Sequence, residues 1–114
     1  MKIYTSYFAN WRNFPIGSKA VGITRFAPTY WKNPNLEVLA PSKELLNQYR
    51  SNDIDEYMFK KKYFKELEAR GLTPKLVMQE LQKLGAETVI LCCYEKPGDF
   101  CHRHLFAEWM GGIN

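Results

Sequence analysis

Three stretches of the chain have the residue pattern of β-strands. Residues 2–8 and 20–26 are rich in β-branched and aromatic side chains, and the second stretch stops shortly before Pro28. Residues 87–94 are apolar at almost every position, which is typical of a parallel strand that helices cover on both faces. The pattern therefore predicts one sheet with 87–94 as its central strand.

Helical patterns fill most of the remaining chain. The predicted helices span 43–51, 54–70, 74–84 and about 100–110. Ser42 and Thr73 are good N-caps for the first and third helices, and Asp53 with Glu56 has capping-box spacing for the second. The order β, β, three helices, β, α predicts a single α/β domain over 1–114: a small three-layer sandwich with a short, mainly parallel sheet of about three strands flanked by helices.

The connection over residues 27–41 is long for a compact domain. It contains three prolines as well as Tyr30 and Trp31, which need a surface to pack on. Loops of this length without regular structure are often functional. Residues 9–18 are predicted to form a shorter irregular loop or a single helical turn.

Composition and charge narrow the function classes. The chain has 114 residues, of which 46% are hydrophobic and 25% charged, so disorder is excluded and one domain is expected. Sixteen basic against twelve acidic residues leave a net charge of +4, which permits an anionic partner but does not demand one. A small anionic ligand, a nucleotide and a nucleic acid are all compatible with this charge. The sequence does not determine the oligomeric state. We expect no membrane association, because no apolar stretch is long enough to span a bilayer.

The cysteines favour a cytoplasmic location. There are three, and two of them, Cys92 and Cys93, are adjacent within an apolar strand. This is poor disulfide usage, so we predict that all three are reduced, and we see no signal peptide. Their spacing matches no paired zinc pattern, so a metal is not expected. No phosphate-loop or dinucleotide-binding motif is present, and no cofactor is predicted.

Chemistry-bearing residues follow the predicted strand ends. In an open α/β sheet, ligands bind outside the carboxyl ends of the strands. Those ends carry Tyr7, Arg25 and Glu95, and the last helix starts with Cys101, His102 and Arg103. Because parallel strands share one carboxyl edge, this polar cluster is predicted to meet there.

This polar cluster has two possible roles, a structural ion pair or a ligand site. An arginine that closes an apolar strand is costly unless it is paired, so Arg25 has either an ion pair with Glu95 or a ligand role, and the two are compatible. Arg103 would add a bidentate donor beside a helix N-terminus, which suits an anion. Cys101 could be acidified there, although an inert cysteine is commoner, and the default for His102 is a buried, hydrogen-bonded histidine.

The C-terminal string resembles a known family. Residues 89–109 have an apolar strand with Cys, then Glu, a short loop, and Cys-His-Arg at the start of a helix. This order is similar to the C-terminal part of the family catalogued as domain of unknown function 488. The family also has an earlier strand that ends in Arg with Pro three residues later, which Arg25 and Pro28 match. The chain departs from the family pattern where members commonly have Gly-His after the first strand and Asp before the arginine: it has Tyr7-Phe8 and Thr24 there, and it resembles a compact branch of the family. The resemblance implies an α/β fold whose shared site comprises Arg25, Glu95, Cys101, His102 and Arg103, and it implies no particular activity.

Three functions fit these observations. The first is an enzyme acting on a phosphate-bearing ligand, with Arg25, Arg103, Tyr7 and Tyr30 as binding residues and Glu95, Cys101 and His102 as catalytic candidates. The second is a non-catalytic module that binds nucleic acid or protein through residues 27–41. The third is a purely structural ion-pair network at the sheet edge.

Overall fold

The computed structural model describes residues 1–94 and 102–111, and it has the predicted α/β fold. Its strands are β1 (Lys2–Tyr7), β2 (Lys19–Gly22) and β3 (Thr88–Cys93). Its helices are α1 (Lys43–Arg50), α2 (Glu56–Ala69), α3 (Pro74–Gln82) and α4 (His102–Trp109), with short 3₁₀ helices at Phe8–Asn13 and Glu37–Leu39. Within the described ranges, no helix is long and apolar enough to cross a membrane.

The sheet has the order β1-β3-β2, and both pairings are parallel. β3 is therefore the central strand, which confirms the prediction made from its unbroken apolar run. The register places Tyr7 opposite Cys93, and Gly22 opposite Cys92. All three strands consequently end at one carboxyl edge.

Different parts of the chain pack on the two faces of the sheet. Val89 and Leu91 point into the main core, which takes in one or more apolar side chains from each of the four α-helices. Ile90 and Cys92 point to the opposite face, where they pack with Phe8 and the half-buried Trp31. This alternation follows from the two-residue period of a strand, so each face of β3 receives its own layer.

Local capping chemistry sets the helix starts. The Ser42 hydroxyl accepts the Leu45 N–H at 3.1 Å and Thr73 caps α3 in the same way, as predicted. The predicted cap of α2 was wrong, because Asp55, not Asp53, accepts the N–H of the third helical residue, Met58, at 2.8 Å. The Asp53 N–H is instead bonded to the Gln48 carbonyl, so Asp53 belongs to the turn that ends α1.

β2 is shorter than predicted and ends at Gly22, three residues before Arg25. Beyond Gly22 the backbone is held by the side chain of Asn35, whose amide donates to the Thr24 carbonyl at 2.8 Å and accepts the Thr24 N–H at 3.3 Å. The loop backbone also binds Gly22, through the Pro34 carbonyl and the Leu36 N–H. Residues 34–36 therefore pair with the edge of this segment that faces away from β3, while the Ile23 N–H still bonds to the Cys92 carbonyl.

Residues 27–41 form a packed cover, not a free loop. The Trp31 ring meets Phe8 edge-to-face with centroids 4.7 Å apart, and its indole N–H donates to the Pro34 carbonyl at 3.2 Å. Tyr30, which directly precedes Trp31, is half-exposed. The long connection thus closes the second face of the sheet.

Replacing Gly22 by alanine should destabilise the protein. A Cβ at Gly22 would lie 2.3 Å from Asn35 Oδ1 and 3.1 Å from the Phe8 ring, so the Asn35 contacts with Thr24 must break. We expect Gly22→Ala to lower the free energy of unfolding by about 1–3 kcal/mol in urea titrations. The same change in an Asn35→Ala background should cost clearly less. Equal costs in both backgrounds would contradict this account.

Candidate functional site

A cavity of about 460 Å³ opens at the carboxyl edge of the sheet. Its strand-end wall is formed by Thr24, Arg25, Phe26 and Tyr94, and its helical wall by Lys43, Leu46, Asn47 and Arg50. Ala40, Pro41 and His102 complete the lining, and all three are buried. The volume is in the range of small-molecule sites, and the position obeys the rule for open α/β sheets.

The polar face of α1 supplies the helical wall. Lys43, Asn47 and Arg50 are spaced by four and three residues, which places them on one side of the helix. Leu45 points away from this side into the main core and is buried. The helix thus presents two cations and an amide to the cavity.

Glu66 of α2 and Arg70, the C-cap of that helix, hold the start of this wall. The Glu66 carboxylate accepts the backbone N–H and the hydroxyl of Ser42, the N-cap of α1. The Arg70 guanidinium donates to the carbonyls of Val38 and Ala40, at 2.7 and 2.6 Å. Because most of these anchors are backbone groups, the beginning of α1 is positioned without using the side chains of α1 that face the cavity.

The strand-end wall is also tied down. The Tyr94 hydroxyl donates to the Phe26 carbonyl at 2.8 Å, and the Tyr94 ring packs edge-to-face on Phe8 with centroids 5.0 Å apart. The Arg25 guanidinium lies 5.8 Å from the centroid of the Phe26 ring. Aromatic surface and positive charge therefore stand side by side on this wall.

His102 is neutral at physiological pH. Its Nε2 lies 2.6 Å from the Ile23 carbonyl, so Nε2 carries the proton and donates it. Burial lowers the pKa of His102 to about 4, aided by the Arg103 charge and opposed by the bond to Ile23. An imidazole with this pKa is a weak base, so His102 acts as a hydrogen-bonding group and a poor proton acceptor.

Arg103 is not part of the cavity lining. Only 1% of it is exposed, and its Nη1 donates to Cys93 Sγ at 3.1 Å. Arg103 and Arg25 are thus at the same edge of the sheet but in different surroundings. The buried guanidinium joins α4 to the last residue of β3.

The prediction of three reduced cysteines is wrong for Cys93, which is held in a disulfide. Cys92 is a buried free thiol, and its burial raises its pKa to about 12. The two neighbours differ because successive strand residues point to opposite faces, so Cys93 projects to the side of α4. A cytoplasmic location stays a prediction.

The structure brings together only some of the predicted site residues. Arg25 and His102 line one cavity, whereas Tyr7, at the end of β1, and the half-exposed Tyr30 do not line it. Glu95 and Cys101 lie outside the described residues. Within the described part of the chain, no group of three or more His, Cys, Asp or Glu side chains is placed to hold a metal ion.

Sequence reasoning missed most of the helical wall. Lys43, Asn47 and Arg50 carry a usable signal, a polar stripe at helical spacing in the helix that follows the proline-rich connection. Tyr94 also carries one, since it directly follows the central strand. Phe26 has none, because nothing in the local pattern shows that its side chain stays exposed.

Comparisons with known proteins identify one match. The family model DUF488-N3a, described as the active DUF488-N3 subclade, matches residues 12–112. This match confirms the resemblance that the C-terminal motif indicates. Comparison with curated proteins and with solved structures found no match.

Acid should destabilise the fold through His102. Its pKa is about 4 in the folded chain and about 6.5 when unfolded, so between these values the unfolded state binds the extra proton. Stability should therefore fall as the pH drops from about 6.5 to 4, by up to about 3 kcal/mol. Unfolding titrations at several pH values measure this slope.

His102→Gln removes the titrating group and retains a donor for Ile23, so its stability should depend less on pH in this window. His104→Gln, which removes an exposed imidazole from the same helix, is the matched control and should retain most of the slope. Identical slopes in wild type and His102→Gln would contradict the assignment.

Proposed function

Since this chain belongs to the DUF488-N3a family, described as an active subclade, we propose that it is an enzyme that binds a phosphate-bearing ligand in the carboxyl-edge cavity. One observation carries the proposal. Arg25, Lys43 and Arg50 line the cavity, and no acidic side chain is among the described residues that line it.

In the described part of the chain, no carboxylate is paired with any of these three side chains. Within the described ranges, none of the three takes part in an ion pair. Arg50 also borders the acidic turn 53–56, yet no carboxylate there is within ion-pair distance of it. Converging like charges repel one another, and this repulsion is relieved when an anion enters the cleft.

The side chains differ in how they would hold the anion. The guanidinium groups of Arg25 and Arg50 can each bind two phosphate oxygens, whereas the Lys43 ammonium acts as a point charge. The neutral His102 adds a polar group at the buried part of the lining. For proton transfer we retain Glu95 as the proposed general base, because the low pKa of His102 makes it unsuited to that task. Cys101, the weaker candidate, would act as a nucleophile only as a free thiol.

A structural role is favoured for Arg103 alone. The burial of Arg103 and its contact with Cys93 Sγ are what a stabilising contact requires. A binding module that uses residues 27–41 has less support because Trp31 is packed against Phe8. Loss of function without loss of stability separates a ligand-binding residue from a structural one.

Pyrophosphate should bind to the purified protein and raise its melting temperature. We expect Arg50→Gln and Lys43→Gln each to weaken binding about tenfold in calorimetric titrations, or about 1.4 kcal/mol, with little change in stability. Lys75→Gln is the matched control, because Lys75 is exposed on α3 and does not line the cavity. Binding that is absent at millimolar concentration, or equal in all variants, would rule the proposal out.

A further inference from the structure

We propose that the ligand is a single nucleotide unit, with its base against Phe26 and Tyr94 and its phosphate at Lys43 and Arg50. This inference rests on the proposed anion site and adds the class of molecule that carries the phosphate. Two observations carry it: the division of the cavity between an aromatic and a cationic wall, and the exposure of a side chain whose backbone is firmly held.

The cavity walls are chemically unequal. Lys43, Asn47 and Arg50 come from α1, whereas Phe26 and Tyr94, with Arg25 beside Phe26, come from the strand ends. A bare inorganic anion uses only the cations and leaves the two aromatic rings unused. A nucleotide uses both, because its phosphate is charged and its base is a flat, weakly polar ring that stacks on aromatic side chains.

Phe26 is the most informative residue. Its side chain is 73% exposed, although the burial of a phenylalanine normally stabilises a fold. Its backbone is nevertheless held, since its carbonyl accepts hydrogen bonds from the hydroxyls of Tyr94 and Thr24, at 2.8 and 3.0 Å. The exposed ring is therefore presented at a defined place, which is what a stacking surface requires.

Tyr94 extends the same surface. It is 52% exposed, and its ring is supported from behind by the edge-to-face contact with Phe8. Thr24, which fixes Phe26, is in turn fixed by Asn35. A chain of hydrogen bonds therefore runs from the core of the domain to the aromatic wall.

Asn47 favours a ligand larger than phosphate. It lies between two cations on α1 and offers both donors and an acceptor. The dianionic phosphate group of a monoester has only acceptors to match, whereas a sugar or base edge has both donors and acceptors. The cavity volume of about 460 Å³ suits one small ligand and not a duplex.

The shared chemistry, a base with a phosphate, has two sources: a free mononucleotide or the phosphorylated end of a strand. Calorimetric titrations of the full chain with four nucleoside monophosphates, ribose 5-phosphate and a 5′-phosphorylated decanucleotide separate them. At least one monophosphate should bind about tenfold more tightly than ribose 5-phosphate, a ratio typical of base stacking. If the decanucleotide binds more than tenfold more tightly than any monophosphate, the source is the strand end. If the affinities are equal, the source is the free nucleotide. Both outcomes support the proposal.

Phe26→Leu is the decisive variant, because it retains an apolar side chain and removes the ring. It should abolish the preference for a nucleoside monophosphate over ribose 5-phosphate and leave the affinity for ribose 5-phosphate unchanged. Tyr57→Leu is the matched control, since Tyr57 is 59% exposed but does not line the cavity. Its preference should equal that of the wild type.

The outcomes separate this inference from the proposed function. If ribose 5-phosphate binds as tightly as every monophosphate, or if Phe26→Leu retains the preference, the nucleotide assignment is overturned while the anion site stands. If no phosphate compound binds to the wild type, the anion site itself is refuted, and the nucleotide assignment falls with it.

Discussion

The structure depends on one constraint: the apolar central strand β3 must be hydrogen-bonded along both edges and covered on both faces. Its six residues bond in parallel to β1 on one side and to β2 on the other. Parallel neighbours cannot be joined by a hairpin, so the chain must return to the start of the sheet each time. Between β2 and β3 it does so through three helices, and their apolar stripes become the cover of one face. The cavity follows from the same geometry, because the segments that follow β2 and β3 lie where α1 and α4 begin.

The cavity walls are positioned by polar contacts behind them. Asn35 holds the backbone of Thr24 beyond the end of β2, and the Thr24 hydroxyl in turn helps to hold the backbone of Phe26. On the opposite wall, Glu66 holds the N-cap of α1 at Ser42. In both cases a partly buried side chain satisfies backbone groups that regular structure would otherwise leave open. Among the described residues, these contacts do not use the side chains of Arg25, Lys43 and Arg50, so the three cations that line the cavity are available to a ligand.

Features governed by local chemistry could be predicted from the sequence, and features governed by tertiary packing could not. The central strand and the caps at Ser42 and Thr73 each depend on a few neighbouring residues, and the shared carboxyl edge follows from parallel pairing. The backbone that follows β2 is held by Asn35, eleven residues beyond Thr24, and no local signal predicts this contact. Likewise, the helical spacing of Lys43 and Arg50 shows a polar face, but only the packing of α1 shows that this face borders the strand ends.

Arg25 and Arg103 have different surroundings, and the buried one, Arg103, helps to hold α4 against the sheet. Both were expected to share one anion, yet Arg25 lines the cavity while Arg103 is buried on Cys93. His102 and Arg103 are consecutive, and they tie the first turn of α4 to two different chain segments, at Ile23 beyond β2 and at Cys93 in β3. A buried guanidinium is costly to desolvate, and one used in this way contributes mainly to the uniqueness of the arrangement. The positive charge of the cavity is then supplied by α1, whose Lys43 and Arg50 remain partly in solvent and need no burial to act on an incoming anion.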